Sequence, residues 1–291
     1  FTGGVNAYNV AIGYATGEAI TTGVQNVLIG GDAGDSLTTG SENVAIGMLA
    51  LTAEDTGRKN VAIGTQSLLA QNADTDNYNT AVGYFAGKSV TTGVQNTLIG
   101  GLAGDALTDA DFNLALGYTA LSNDTLGSGS TAIGHGTLSL QNFTSATTTY
   151  NTAVGFKAGN VITTGVQNTL IGGLAGDAIT TGDNNVALGH EALTANTVGD
   201  RSTALGNFAL KSQNPSSNVD MYNVAIGHNA GGDLTTGTSN TFVGALAGDG
   251  TDDGSNNTAL GKSALSANCA DANTAIGNSA AITCTGADNT V

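Results

Sequence analysis

The sequence predicts an all-β chain, a parallel β-solenoid of about sixteen coils, most of them 17 residues long. Three observations carry that expectation. A five-residue motif recurs at a nearly constant interval, the composition suits a thin core, and each repeat alternates strand signals with turn signals.

The motif is Asn, any residue, Ala, an aliphatic residue, Gly, first met at Asn9-Val10-Ala11-Ile12-Gly13. Its glycine returns at 30, 47, 64, 83, 100, 117, 134, 155, 172, 189, 206, 227, 244, 261 and 277. The interval is 17 residues throughout, except for 19 before Gly83, 21 before Gly155 and Gly227, and 16 before Gly277. Departures from the motif are few. Ser130 and Ser202 replace the asparagine, and Leu28, Leu98, Leu170 and Phe242 replace the alanine.

Composition points the same way. The 291 residues include 44 Gly, one Pro and no Trp; 40% are hydrophobic and only 10% charged. Such a chain is too apolar for disorder and too poor in bulky side chains for a thick globular core. Small side chains fit the inside of a narrow coil.

Within a coil, Val/Thr-Ala-Ile-Gly is short, β-branched and alternating, which predicts a strand. Thr-Thr-Gly, as at Thr21-Thr22-Gly23 and Thr163-Thr164-Gly165, predicts a turn whose glycine takes a positive φ. A second period is nested in the first. Three residues after the motif glycine comes a small residue, then Gly or Leu in alternating pairs of coils: Ala33-Gly34, Ala50-Leu51, Ser67-Leu68, Ala86-Gly87. Coils therefore fall into four blocks of four, 9–78, 79–150, 151–222 and 223–288, within one solenoid over 1–291. Longer turns close the first three blocks, from Gln71 to Tyr78, Gln141 to Tyr150 and Gln213 to Tyr222. Asn289-Thr290-Val291 reads as the start of a seventeenth coil, so a piece of a longer chain is expected.

The asparagine column comprises Asn9, Asn26, Asn43, Asn60, Asn79, Asn96, Asn113, Asn151, Asn168, Asn185, Asn223, Asn240, Asn257 and Asn273. Two readings are open: amides hydrogen-bonding up and down a ladder, or turn propensity alone. The strand itself is apolar on both faces, with Val10 and Ile12 on one side and Ala11 on the other. A strand of that kind is usually buried on both faces. A thin coil covers only one, so other copies of the chain are the simplest cover for the second.

Asn-Val-Ala-Ile-Gly with a small residue three places on resembles the head repeats of trimeric autotransporter adhesins. Asn-Thr-Ala-Val-Gly, at 79–83 and 151–155, is similar to repeats of bacteriophage tail fibres. The resemblance covers essentially the whole chain. It implies a left-handed β-roll wound as a homotrimer that attaches to a host receptor or glycan, on a virion or outside a cell. A non-viral surface adhesin and a self-assembling filament are the alternatives.

Net charge is −16, from 7 Lys and Arg against 23 Asp and Glu. That balance predicts no nucleic-acid partner, and no apolar run is long enough for membrane insertion as a helix. Catalysis is not expected either, since no nucleophile, base and orienting group form a set. His135, His190 and His228 each follow a motif glycine, where other coils place Tyr14, Phe156 or Lys262, so the column reads as variable surface. No cofactor is expected. Ca²⁺ needs six to eight oxygens, and the Asp35, Asp105, Asp177 and Asp249 column returns only every fourth coil.

Two further sets complete the expectations. Cys269 and Cys284 are 15 residues apart in neighbouring coils, which predicts a disulfide. In the longer turns, Asp74-Thr75-Asp76, Thr147-Thr148-Thr149 and Ser216-Ser217-Asn218 are polar and break the coil length. They are the expected contacts to a surface, because loops on a rigid scaffold commonly carry recognition.

Overall fold

A computed structural model describes residues 6–291. The described residues form no helix. They make a parallel β-solenoid of about 16 turns of ~17 residues, divided into two compact units, 1–149 and 150–291. The division falls at the end of the second block.

In the first unit the strands are β1 (Val10–Ile12), β2 (Val27–Ile29), β3 (Val44–Ile46), β4 (Val61–Ile63), β5 (Thr80–Val82), β6 (Thr97–Ile99) and β7 (Leu114–Leu116). β8 (Gly127–Ser128), β9 (Thr131–Ile133) and β10 (Thr147–Thr148) follow. β1 to β7 and then β9 pair in parallel, each strand set directly on the next, as in Val44↔Val61, Ala45↔Ala62, Ile46↔Ile63. The second unit repeats the plan with β11 (Thr152–Val154), β12 (Thr169–Ile171), β13 (Val186–Leu188), β14 (Gly199–Asp200), β15 (Thr203–Leu205) and β16 (Val219–Asp220). β17 (Val224–Ile226), β18 (Thr241–Val243), β19 (Thr258–Leu260) and β20 (Thr274–Ile276) complete it. Backbone groups outside the strands also bond coil to coil, as from Gly34 N–H to the Ala50 carbonyl at 2.9 Å, which satisfies the main chain around the circuit.

Three residues per coil lie in the left-handed region and turn the chain. They are the residue before the asparagine, the second after the motif glycine, and the fourth after it, for example Glu42 (φ 61), Leu49 (φ 60) and Leu51 (φ 54). A leucine in this conformation is strained by about 1–2 kcal/mol, offset here by complete burial of Leu51. The motif glycine takes a φ that side chains avoid, +136 at Gly47, where an added Cβ would sit 2.5 Å from the Gly64 carbonyl oxygen. The Thr-Thr-Gly glycines differ from expectation, because Gly23 and Gly165 are not at positive φ. Close approach is their constraint: a Cβ on Gly165 would lie 2.5 Å from the Gly182 carbonyl oxygen. The left-handed corner falls two residues later, at Gln25 and Gln167.

The alternation of Gly and Leu is a volume exchange inside the coil. Where the fourth residue after the motif is Gly34 or Gly104, the space is filled by Leu37 or Leu107 and by the strand residues Leu28 or Leu98. Where it is Leu51, Leu68, Leu121 or Leu193, that side chain fills the core and the strand centre is Ala. Dense packing demands such compensation.

Candidate functional site

Two features outside the regular core stand out: the outward face of the long sheets and the block-end turns. From the second coil on, the central strand residue is fully buried, as at Ala45, Leu98, Ala187 and Phe242. The flanking residues point away from the core and remain partly exposed. Leu116 is 41% and Leu188 43% exposed, and every outward strand position in both units is Val, Thr, Ile or Leu. Beside this stripe runs the column that follows the motif glycine. Tyr118 stacks on His135 with ring centroids 5.6 Å apart, and Phe208 meets His190 and His228 edge-on. The three histidines thus stand in surface columns with aromatic neighbours. Among the described residues, no three His, Cys, Asp or Glu side chains are grouped to hold a metal ion.

The asparagines line the inside. Each amide oxygen typically accepts the backbone N–H of the next asparagine, as from Asn43 N to Asn26 Oδ1 at 3.0 Å and from Asn185 N to Asn168 Oδ1 at 3.0 Å. Its Nδ2 donates to a carbonyl 14 residues on, as from Asn43 to Gly57 O at 2.9 Å. The ladder is mainly side chain to backbone, with direct amide-to-amide bonds at several steps, as from Asn240 Nδ2 to Asn223 Oδ1 at 3.2 Å and from Asn273 Nδ2 to Asn257 Oδ1 at 3.1 Å. Asn9, Asn26, Asn79, Asn96 and Asn113 make this second bond in the first unit, and Asn151, Asn168, Asn185, Asn223 and Asn240 in the second. Asn273 reaches Gly286 O at 2.8 Å across a shorter coil. Both side-chain polar atoms of Asn60, and Nδ2 of Asn257, lack a partner.

Asn60 fails for a local reason. Its coil runs into a block-end turn, and the residue 14 places on is Asp74, in the exposed part of that turn. Ser130 and Ser202 occupy the same position at the ends of the second and third blocks, and their shorter side chains find other partners. Ser130 Oγ shares a hydrogen with Thr149 Oγ1 at 2.6 Å and accepts from Gln141 Nε2 at 2.9 Å. Ser202 Oγ accepts from Gln213 Nε2 at 2.9 Å. The two departures from the asparagine column thus mark where its acceptor has moved.

Near each turn lie two buried polar residues that the repeat pattern did not single out, Glu54 and Gln71, Asp124 and Gln141, Asn196 and Gln213, of which only Asp124 and Gln141 bond each other. A sequence signal exists for them. In coils carrying Leu at the corner, the third residue after it is polar, whereas coils carrying Gly place Leu37, Val90, Ile162 or a similar aliphatic residue there, except that Thr251 follows Gly248. Glu54 accepts hydrogen bonds from Gly57 N at 2.7 Å, Asn77 Nδ2 at 2.9 Å and, more weakly, Ala73 N at 3.4 Å. Asp124 accepts from Gly127 N at 3.1 Å, Phe143 N at 3.0 Å and Gln141 Nε2 at 2.6 Å. Burial pushes the Glu54 carboxyl above its ordinary range, against the opposing effect of those N–H donors. Burial also raises Asp35, Asp105 and Asp249, whose Oδ1 atoms lack partners, while Asp177 Oδ1 accepts from Thr194 at 2.5 Å.

The outer parts of the turns are divided between surface and anchor. Asp74, Thr75, Thr148, Ser216, Ser217 and Asn218 are exposed, and Asp76 and Thr147 are half-buried. Thr149 corrects an expectation, since it is fully buried and bonded to Ser130, so it cannot touch a partner surface. Asp76 receives Lys59 Nζ at 2.7 Å, and that ammonium also donates to Tyr78 Oη at 3.0 Å. Arg201 and Tyr222 bond Asp220 in the same way at the third turn. The second and third turns also pair with the preceding coil, through β8 with β10 and β14 with β16.

Cys269 and Cys284 lie in neighbouring coils as free thiols. Cys269 is buried and its Sγ lies 2.8 Å from the Cys284 carbonyl oxygen. Cys284 turns its own Sγ toward Asn273 Oδ1 at 3.9 Å. No protein-family model matches this chain, and no curated protein is significantly similar to it.

Proposed function

We propose that the chain is a structural segment of a homotrimeric attachment fibre, of the kind its repeats resemble in bacteriophage tail fibres, with a bacterial surface adhesin as the cellular alternative. The outward stripe carries this reading. A chain with net charge −16 keeps every outward strand position of both units uncharged, with an aliphatic residue or Thr before the buried centre and Ile, Leu or Val after it. Apolar surface repeated coil after coil favours association with a partner of the same spacing, and another copy supplies that spacing by construction. The exposed parts of the three turns, 74–75, 144–146 with 148, and 216–218, are the surfaces left to meet a receptor or glycan.

Light scattering on the purified chain tests the assembly. The expected mass is three times 28.5 kDa, and Leu116→Lys with Leu188→Lys should shift it toward one chain while the β-sheet circular dichroism persists. A single-chain mass for the unaltered protein would overturn the reading.

A further inference from the structure

We propose that Cys269 and Cys284 form a redox-responsive clasp that closes to a disulfide when the protein meets a low-molecular-weight disulfide. The inference stands apart from the fibre reading, because it depends on two side chains and not on assembly.

The two are the chain's only cysteines, and the repeat stacks their coils directly. Asn273 N donates to Asn257 Oδ1 at 2.8 Å and Asn289 N to Asn273 Oδ1 at 3.0 Å, which fixes the coils on either side of the pair. Cys269 Sγ lies within reach of two carbonyls, those of Cys284 at 2.8 Å and Ala267 at 3.3 Å. One thiol hydrogen can serve only one of them at a time. The two differ in access, Cys269 buried and Cys284 half-buried. Burial pushes the Cys269 thiol up to about 11, with the neighbouring Cys284 adding to the rise. A thiol so protonated is a poor first nucleophile toward a reagent in solution.

The order of steps follows. The Cys284 thiolate attacks one sulfur of oxidised glutathione, forming a mixed disulfide and releasing one glutathione thiolate. Cys269 then gives up its proton and attacks the Cys284 sulfur, expelling the second glutathione. Two protein thiols are oxidised and one disulfide is reduced to two thiols, so atoms and electrons balance. Closing the bridge ties adjacent coils together, and in a solenoid such an effect stays local.

The test uses the full chain incubated with oxidised glutathione under native conditions, followed by alkylation, digestion and mass spectrometry. The expected product is one peptide pair linked through Cys269 and Cys284, two hydrogens lighter, with both residues protected from alkylation. Hydrogen exchange should slow on the order of tenfold in 265–291 and stay unchanged elsewhere. Cys269→Ser should accumulate the glutathione adduct at Cys284, and Cys284→Ser should leave Cys269 unmodified while the protein is folded. Two free thiols after prolonged exposure, a glutathione adduct on the unaltered chain that never resolves, or cross-links between chains would each overturn the proposal. So would modification of Cys269 in Cys284→Ser at the rate seen for Cys284.

Discussion

The ends of the first and third blocks solve one problem with different chemistry. Each must carry a longer turn out of a coil whose interior is lined by hydrogen bonds. The first block does so with a buried carboxylate, Glu54, that gathers Gly57 N–H, Ala73 N–H and the Asn77 amide. At the third block Asn196 takes the place of the carboxylate and bonds only within its own turn, to Gly199 N at 3.0 Å and Gly199 O at 2.8 Å. The residue equivalent to Ala73 is Pro215, the one proline of the chain, and the residue equivalent to Asn77 is the buried Met221. Proline has no N–H to offer. Where the donor disappears, the carboxyl gives way to the neutral amide of Asn196. The second block lies on the carboxyl side of this comparison, with Asp124 accepting Phe143 N–H at 3.0 Å. The lesson is that a buried carboxyl here tracks the number of N–H groups it must satisfy.

The largest effect that would break this comparison is removal of the buried acid. Glu54→Leu leaves two backbone donors and an amide without partners, and should cost about 3–5 kcal/mol. Asn196→Leu strands fewer groups and should cost about 1–3 kcal/mol. Urea unfolding of the two variants measures the difference, and equal costs would show that the acid has no special role.

A smaller effect sharpens the comparison. Asn196→Asp alone buries a charge without its donor, and Pro215→Ala alone supplies a donor without the charge. Together they rebuild the arrangement of the second block, so the double variant should be more stable than the two single changes predict, by about 1–2 kcal/mol. An additive result argues that the pairing of proline with asparagine is incidental.

The smallest expected change is a gain. Asn60→Ser copies Ser130 and Ser202 and removes two buried polar atoms that have no partner. It should stabilise the first block by roughly 1 kcal/mol, read as slower hydrogen exchange across residues 54–80. The reverse substitution, Ser202→Asn, should loosen the third block to a similar degree.

The amino-acid sequence by itself determined the solenoid, the coil length and the place of the strand that recurs in every coil. It could do so because every coil repeats one set of steric demands, and repetition turns a weak local signal into a strong one. The Val10 and Ile12 column was legible as apolar on both sides of the strand for the same reason. Tertiary structure alone decided which face was core, because alanine and isoleucine are both apolar and only the curvature of the coil selects between them. It decided the corners as well. A leucine at Leu51 carries no local sign of a left-handed backbone, and the strain is tolerated only because the neighbouring coils bury the side chain. The asparagine ladder was open between two readings in the sequence, since an amide serves a turn or a stack equally well; the position of the next backbone N–H settled it. Thr149 was misjudged because sequence spacing fixes where a residue lies along the coil axis and says nothing of where its side chain points. Glu54 and Asn60 needed the fold most, since the cost of a buried polar group is set by partners that only the folded chain brings within 3 Å or so.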